Sequence, residues 1–352
     1  MIYTNNANIT LHRSKSLTYV SNYAHSVSQA DRVSDWNDAE SKLVLAPDPG
    51  LAYSTDIWAP ELHKLQGFEN HWYIIFTADP NYDNPSPEID MYCPFNCPAV
   101  NHRMFVLESK GSSPWEGDYT FKAELDTFDQ FAIDGTYFQH DSGLYHVYSC
   151  WYQKYDAWPA NLCITKSSFS ILWLSSFANP ACSVSDPWTV TSNISTRAII
   201  SVPSEPWEKT PYGRSVNDRL SSNEAPQQLT NPTTKQTFII YSAARSDNRN
   251  YCLGQLELVG TDPMNTQDWH KRTSGCVFYS NPSEQAYGVG HASFTKSLDG
   301  EEDWIVYHGM RDPTNGWSAR SIRAQKFEWN DDGSPKFPRP GYGPYPVPSG
   351  QT

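Results

Sequence analysis

The sequence predicts an all-β fold built from a repeated unit of short strands, and three observations carry that prediction. Four aromatic and β-branched runs recur at wide intervals: Trp72–Phe76, Leu144–Tyr148, Thr237–Tyr241 and Asp303–Tyr307. Their composition is that of a buried or half-buried strand. Each run is preceded by a turn and by a segment bearing polar groups, namely Ile57–His63, Ile133–Phe138, Asn223–Gln227 and Gly290–Phe294. No stretch of the chain reads convincingly as a helix. Self-similarity on this scale marks a propeller or an array.

The elements follow in order. Met1–Thr4 matches Ile74–Thr77, so the chain is expected to begin partway through the second strand of a unit. The segment that would carry that unit's polar residue is expected upstream of Met1. Candidate outer strands follow each core run: Ile9–His12, Met104–Leu107, Leu162–Thr165, Cys252–Leu258 and Ser321–Trp329. Four whole units and this partial one predict a five-bladed β-propeller, its first blade truncated at the N-terminal inner strand. Two connections, Asp79–Pro98 and Ser201–Ser222, are long and rich in Pro, Asn and Ser. Long loops on a rigid scaffold tend to carry function. No low-complexity linker divides the chain, so residues 1–352 are expected to form one domain with a Pro-rich tail over 340–352.

Composition narrows the partners. A net charge of −13 argues against nucleic acid, which calls for a basic face. No apolar run approaches membrane-spanning length. An aromatic content of 14 % is high for so polar a chain. Aromatic rings fill cores and also offer platforms for the apolar faces of sugars. A monomer is expected.

The seven cysteines, Cys93, Cys97, Cys150, Cys163, Cys182, Cys252 and Cys276, have no paired CxxC spacing and no His cluster, which argues against zinc. Disulfides are expected instead: Cys93–Cys97 within a Pro-rich loop, Cys163–Cys182, or Cys252–Cys276. Two sequons, Asn8-Ile-Thr10 and Asn193-Ile-Ser195, suit a secretory route.

Spacing then gives the polar segments a common meaning. Asp134 precedes Val147 by 13 residues, Glu224 precedes Ile239 by 15, and His291 precedes Ile305 by 14. Each therefore lies one strand and one turn ahead of its unit's second strand. The innermost strands of a propeller line its central channel. Asp134, Glu224 and His291 should meet around one axis. Taken singly, Asp134 would also suit the turn at Asp134–Gly135, and Glu224 a solvated loop. Together, two carboxyls across a channel suit glycoside hydrolysis, which needs an acid to protonate the leaving oxygen and a carboxylate to activate water or attack.

These segments carry a family resemblance. Asp56–His63 followed by Trp72–Ala78, then Ile133–Phe138, Asn223–Pro226, Gly290–Phe294 and Asp303–His308, resemble glycoside hydrolase family 43, in the family's order. The closest likeness is to its α-L-arabinofuranosidase and exo-arabinanase branch. The resemblance implies an inverting enzyme that releases arabinose or xylose from plant cell-wall arabinan or arabinoxylan, secreted and without organic cofactor. It implies that Glu224 is the general acid and that Asp134 orients it and lifts its pKa. It implies that Arg320 reaches the acid and the sugar. Strand alternation puts Arg323 on the opposite face from Arg320. Trp58 is expected to stack near the sugar, and His291 to hold a hydrated calcium or another ion.

The family's general base is an Asp on the inner strand of the first blade, just ahead of the segment that resembles Met1–Asn6. This sequence has no residue there, and Asp56 and Glu61 belong to the second blade's motif. Loss of a general base costs about 10²–10⁴-fold in rate, so the chain is expected to be a poor hydrolase. Two other readings stay open: a carbohydrate-binding propeller without catalysis, and a β-xylosidase distinguished by the Asp79–Pro98 loop.

Overall fold

A computed structural model describes residues 2–4, 6–13, 40–68, 70–79, 101–152, 159–167, 186–209, 221–314, 316–341, 345 and 348–350. They form antiparallel sheets in a propeller arrangement, with only short 3-10 turns as helix. The first sheet has three strands, β1 (Ile2–Thr4), β2 (Ile9–Arg13) and β3 (Glu40–Leu45). The second comprises β4 (Thr55–His63), β5 (His71–Asp79), β6 (Arg103–Lys110) and β7 (Thr120–Glu124). The third comprises β8 (Ala132–His140), β9 (Gly143–Cys150), β10 (Asn161–Lys166) and β11 (Ala198–Ser201). The fourth holds β12 (Asn223–Thr230), β13 (Thr237–Ala243), β14 (Cys252–Leu258) and β15 (Trp269–Lys271). The last holds β16 (Tyr287–Lys296), β17 (Asp303–Met310), β18 (Arg320–Trp329) and β19 (Pro335–Lys336).

Burial explains why the second strands read as continuous apolar runs. Tyr73 and Ile75 of β5 pack towards the third sheet with Tyr137, Leu144 and Tyr148. Their neighbours Ile74 and Phe76 pack the other way, with Ile9 of the first sheet. In β13, Ile239 and Tyr241 join Phe138 and Val147, whereas Phe238 and Ile240 join Ile305 and Tyr307. Each such strand is sandwiched between two sheets, so successive side chains on both faces must be apolar. The core is thus a series of hydrophobic seams between neighbouring sheets.

The inner strands touch in succession, β4 against β8, β8 against β12 and β12 against β16. A recurring hydroxyl locks these contacts. Thr4 Oγ1 donates to the Ile57 carbonyl at 2.7 Å. The Asp134 N–H donates to Thr77 Oγ1 at 3.0 Å. Ser149 Oγ donates to the Asn223 carbonyl at 2.9 Å, and the His291 N–H donates to Ser242 Oγ at 2.8 Å. Thr77, Ser149 and Ser242 lie near the ends of the second strands of their sheets, Thr4 at the end of β1, and each grips the next sheet's inner strand. The matching position in β17 is His308, whose ring stacks on Tyr251 at 5.7 Å. Neither of its buried ring nitrogens has a hydrogen-bond partner among the described residues.

Two disulfides are described. Cys252–Cys276 forms as the sequence suggests. The expected Cys163–Cys182 pair is corrected, because Cys163 bonds Cys150 on the adjacent strand. In the β9–β10 register Cys150 lies opposite Asn161, two residues from Cys163, which brings the two Cα atoms to 5.9 Å. Cys93, Cys97 and Cys182 lie outside the described residues, as does nearly all of the loop after Asp79 and the stretch 210–220.

Candidate active site

Each inner strand is broken at the position that carries its polar residue. The β8–β9 register shifts between Ile133 and Thr136, and Asp134 there has φ 55°. The β12–β13 register shifts between Glu224 and Gln227, with Ala225 at φ 48°. The β16–β17 register shifts on both sides of Gly290, with His291 at φ 47°. Positive φ is uncommon outside glycine, and bulges re-aim side chains at strand ends. Asp134 is therefore a bulge residue inside a strand rather than a turn cap. A Cβ at Gly135 beside it would lie 1.6 Å from Met104 Cε, so the methionine would have to move to admit one.

The bulges bring Asp134, Glu224, His291 and Arg320 into one electrostatic neighbourhood. The Glu224 carboxyl is pushed above the ordinary carboxylate range, first by burial and then by the charge of Asp134. Asp134 is itself raised, by burial and by Glu61, while Arg320 and the Ala225 N–H oppose the shift. Two facing carboxyls share protons as a unit, and the pair holds a proton into neutral pH. Glu224 Oε1 accepts a hydrogen bond from the Tyr251 hydroxyl at 2.8 Å. Arg320 is held by one nitrogen, with Nη2 donating to the Ser246 carbonyl at 2.8 Å. Its buried Nε has no hydrogen-bond partner among the described residues.

His291 is kept neutral by burial, against the pull of Glu61 and Glu224. A neutral imidazole is a metal donor. No group of three or more His, Cys, Asp or Glu side chains gathers to hold a metal among the described residues. Calcium and magnesium take oxygen ligands, so with this one nitrogen donor such an ion would have to keep most of its water.

Trp58 stands beside this group. It pairs in register with Thr77, the residue that receives the Asp134 N–H. Its ring stacks on His102 with centroids 4.0 Å apart. Behind it, His102 Nδ1 lies 3.4 Å from Asp79 Oδ2, and burial pushes the Asp79 carboxyl up to about 7.

Two further residues complete the site. Tyr251 follows β13 in a connecting segment and reaches Glu224 from outside any repeated pattern. Glu61 lies on β4 with Oε2 3.0 Å from His63 Nε2, and its Oε1 accepts from Gln227 Nε2 of β12. It joins inner strands two sheets apart and acts electrostatically on both Asp134 and His291. The spacing that finds Asp134 and Glu224 offers no signal for Tyr251, whereas Glu61 precedes Ile74 by 13 residues and shares it.

Residues 2–335 match the family described as Glycosyl hydrolases family 43. The chain is 31 % identical over 330 residues to Alpha-L-arabinofuranosidase B of Pyricularia oryzae, covering 91 % of this chain and 57 % of that protein. It is 32 % identical over 289 residues to the Extracellular exo-alpha-(1->5)-L-arabinofuranosidase of Streptomyces avermitilis, covering 80 % and 49 %. The chain thus spans about half the length of these curated relatives. In fold it is similar to the crystal structure of alpha-L-arabinofuranosidase from Lactobacillus brevis, with a TM-score of 0.68 at 24 % identity over 97 % of this chain and 94 % of that one. Fold, family match and related sequences agree: the chain belongs to family 43 of the glycosyl hydrolases.

Proposed function

We propose that this chain is the β-propeller of an inverting α-L-arabinofuranosidase acting on arabinan or arabinoxylan, with Glu224 as general acid. The observation that carries the reading is the Glu224 carboxyl, buried, faced by Asp134 and, among the described residues, hydrogen-bonded on Oε1 alone. With Oε1 engaged by Tyr251, the proton sits on Oε2 and passes to the departing glycosidic oxygen. In this reading the proton that the pair shares sits on Glu224, while Arg320 and the Ala225 N–H oppose the rise at Asp134, whose charge raises the proton affinity of Glu224. Arg320 offers its guanidinium charge beside the acid and the sugar, and Trp58 offers an apolar face. His291 would be the protein donor for a hydrated calcium or similar ion, which would supply positive charge beside the carboxyls.

The three-stranded sheet is read as the first of five blades. Inversion also needs a carboxylate to activate water on the far side of the sugar. None of Asp134, Glu224 and Glu61 takes that role in this reading: Glu61 is engaged by His63 and Gln227, and Asp134 serves the acid. Slow turnover is therefore expected of these residues alone. The disulfides Cys150–Cys163 and Cys252–Cys276 support secretion, since such bonds persist in oxidising compartments. Two related proteins are also named as extracellular.

The test is release of arabinose from an aryl α-L-arabinofuranoside and from linear arabinan, with the anomer followed by NMR. β-Arabinofuranose as first product supports inversion. Retention, or preference for xylobiose, overturns the reading. Fast turnover with Glu224→Gln would remove Glu224 as the acid.

A further inference from the structure

Of the tryptophans described, Trp317 is the one that is exposed, with 63 % of its surface in solvent. It lies on the short 3-10 turn Gly316–Ala319, which runs directly into Arg320 at the start of β18. Three residues of backbone place it within about 10 Å of Arg320 along the chain. The ring is not loose. Its Nε1 donates to Ser246 Oγ at 3.1 Å, and the carbonyl of the same Ser246 receives Arg320 Nη2 at 2.8 Å. Ser246 follows β13, four residues beyond Ser242, which pairs in register with Glu224. The support beneath is also braced. Arg245 Nε donates to Asp247 Oδ1 at 2.9 Å, and Gly316 at φ 55° lies against the Asp247 backbone. Trp317, Ser246 and Arg320 therefore form one hydrogen-bonded unit at the end of the propeller that holds the acid.

We infer that Trp317 is a stacking platform for a second sugar ring, outside the one bound at Glu224 and Arg320. A fixed indole with its N–H already paired presents an apolar face and no unmet donor, and the C–H face of a neutral furanose is the complementary surface. Sharing Ser246 with Arg320 sets the distance between the two sugar positions. The ligand is a neutral arabino-oligosaccharide of at least two residues. This inference rests on the arabinan reading of the site.

The experiment uses the whole chain and its Trp317→Ala and Trp317→Phe variants. Binding of arabinose and of α-1,5-arabinotriose is measured by calorimetry, together with tryptophan fluorescence. Trp317→Ala should weaken arabinotriose by about 2- to 12-fold, the range for an aromatic contact. Arabinose should weaken by clearly less, and Trp317→Phe should keep most of the affinity. The indole emission should shift with arabinotriose in the parent chain. Equal losses for mono- and trisaccharide, or no loss, overturn the platform. A second domain covering Trp317 in a longer protein would quench its accessibility to iodide and also overturn it. Xylotriose or galactotriose binding in place of arabinotriose, still dependent on Trp317, upholds the platform and rejects the arabinan reading. Absence of binding to all three rejects both.

Discussion

The Tyr251 hydroxyl donates to Glu224 Oε1 at 2.8 Å, and the Tyr251 ring lies flat against His308 with an interplanar angle of 3°. The acid's orientation thus depends on a residue two strands away in sequence, itself packed on the last sheet. A donor to a carboxylate favours the ionised form, so this bond restrains the rise that burial and Asp134 impose. Tyr251→Phe should therefore move the alkaline limb of the pH–rate profile upward. A hydrogen bond to a charged group is worth about 1.5–3 kcal/mol, so the move should be about one pH unit or more. A limb that stays in place, or moves to lower pH, contradicts the role assigned to Tyr251.

Glu224→Gln should separate function from stability. Removing the acid should lower turnover by about 10²–10⁴-fold. The Gln oxygen can still accept from Tyr251. A buried carboxyl with a raised pKa binds its proton more tightly folded than unfolded. Its contribution is whole below the ordinary value of 4.5 and is lost as pH climbs through the raised value. The variant should therefore melt higher than the parent at pH 8 and show little gain at pH 4. Thermal melts at the two pH values check this, and a lower melting temperature at pH 8 would refute the assigned shift.

Gly290 shows how the last sheet protects that geometry. A Cβ at this position would fall 2.3 Å from Tyr251 Cε1. The tyrosine ring is pinned by His308 on its face, so it cannot withdraw freely. Gly290→Ala should cost about 1–3 kcal/mol in stability, as overpacking does. It should also shift the alkaline limb in the same direction as Tyr251→Phe. Denaturant unfolding together with a pH–rate profile tests both parts.

Legibility in the sequence tracked burial and repetition. β5, β9 and β13 are plain because both faces of each are buried, which forces continuous aromatic and β-branched runs, and β17 is plain because it buries Ile305 and Tyr307 against the fourth sheet. Outermost strands such as β7, β15 and β19 were not anticipated, since Thr120–Glu124, Trp269–Lys271 and Pro335–Lys336 are short and partly exposed. Asp134, Glu224 and His291 were found because one offset recurs in three units. Tyr251 has no such signal, and Glu61 shares the offset without revealing its role, because both roles arise from contacts between sheets that no linear spacing records. The partner of Cys163 was missed for the same reason: Cys150 is its neighbour only once the β9–β10 register is known.

The two disulfides differ in what they close. Cys150–Cys163 joins strands already paired across a hairpin, with a sequence separation of 13. Cys252–Cys276 spans 24 residues and ties the start of β14 to the segment after β15. Chain entropy makes a bridge worth about 3 kcal/mol for a 15-residue loop and more for longer ones. Cys252→Ser should therefore cost at least as much as Cys150→Ser. The segment held by Cys276 also contains Phe278, whose carbonyl accepts the Leu253 N–H at 2.8 Å and whose ring packs on Tyr307. Opening Cys252–Cys276 should loosen that seam between the last two sheets, and with it the support under His308 and Tyr251. Amide exchange at Leu253 and Val277 should rise in Cys252→Ser and stay low in Cys150→Ser. Equal protection in the two variants would show that the seam holds without the bridge.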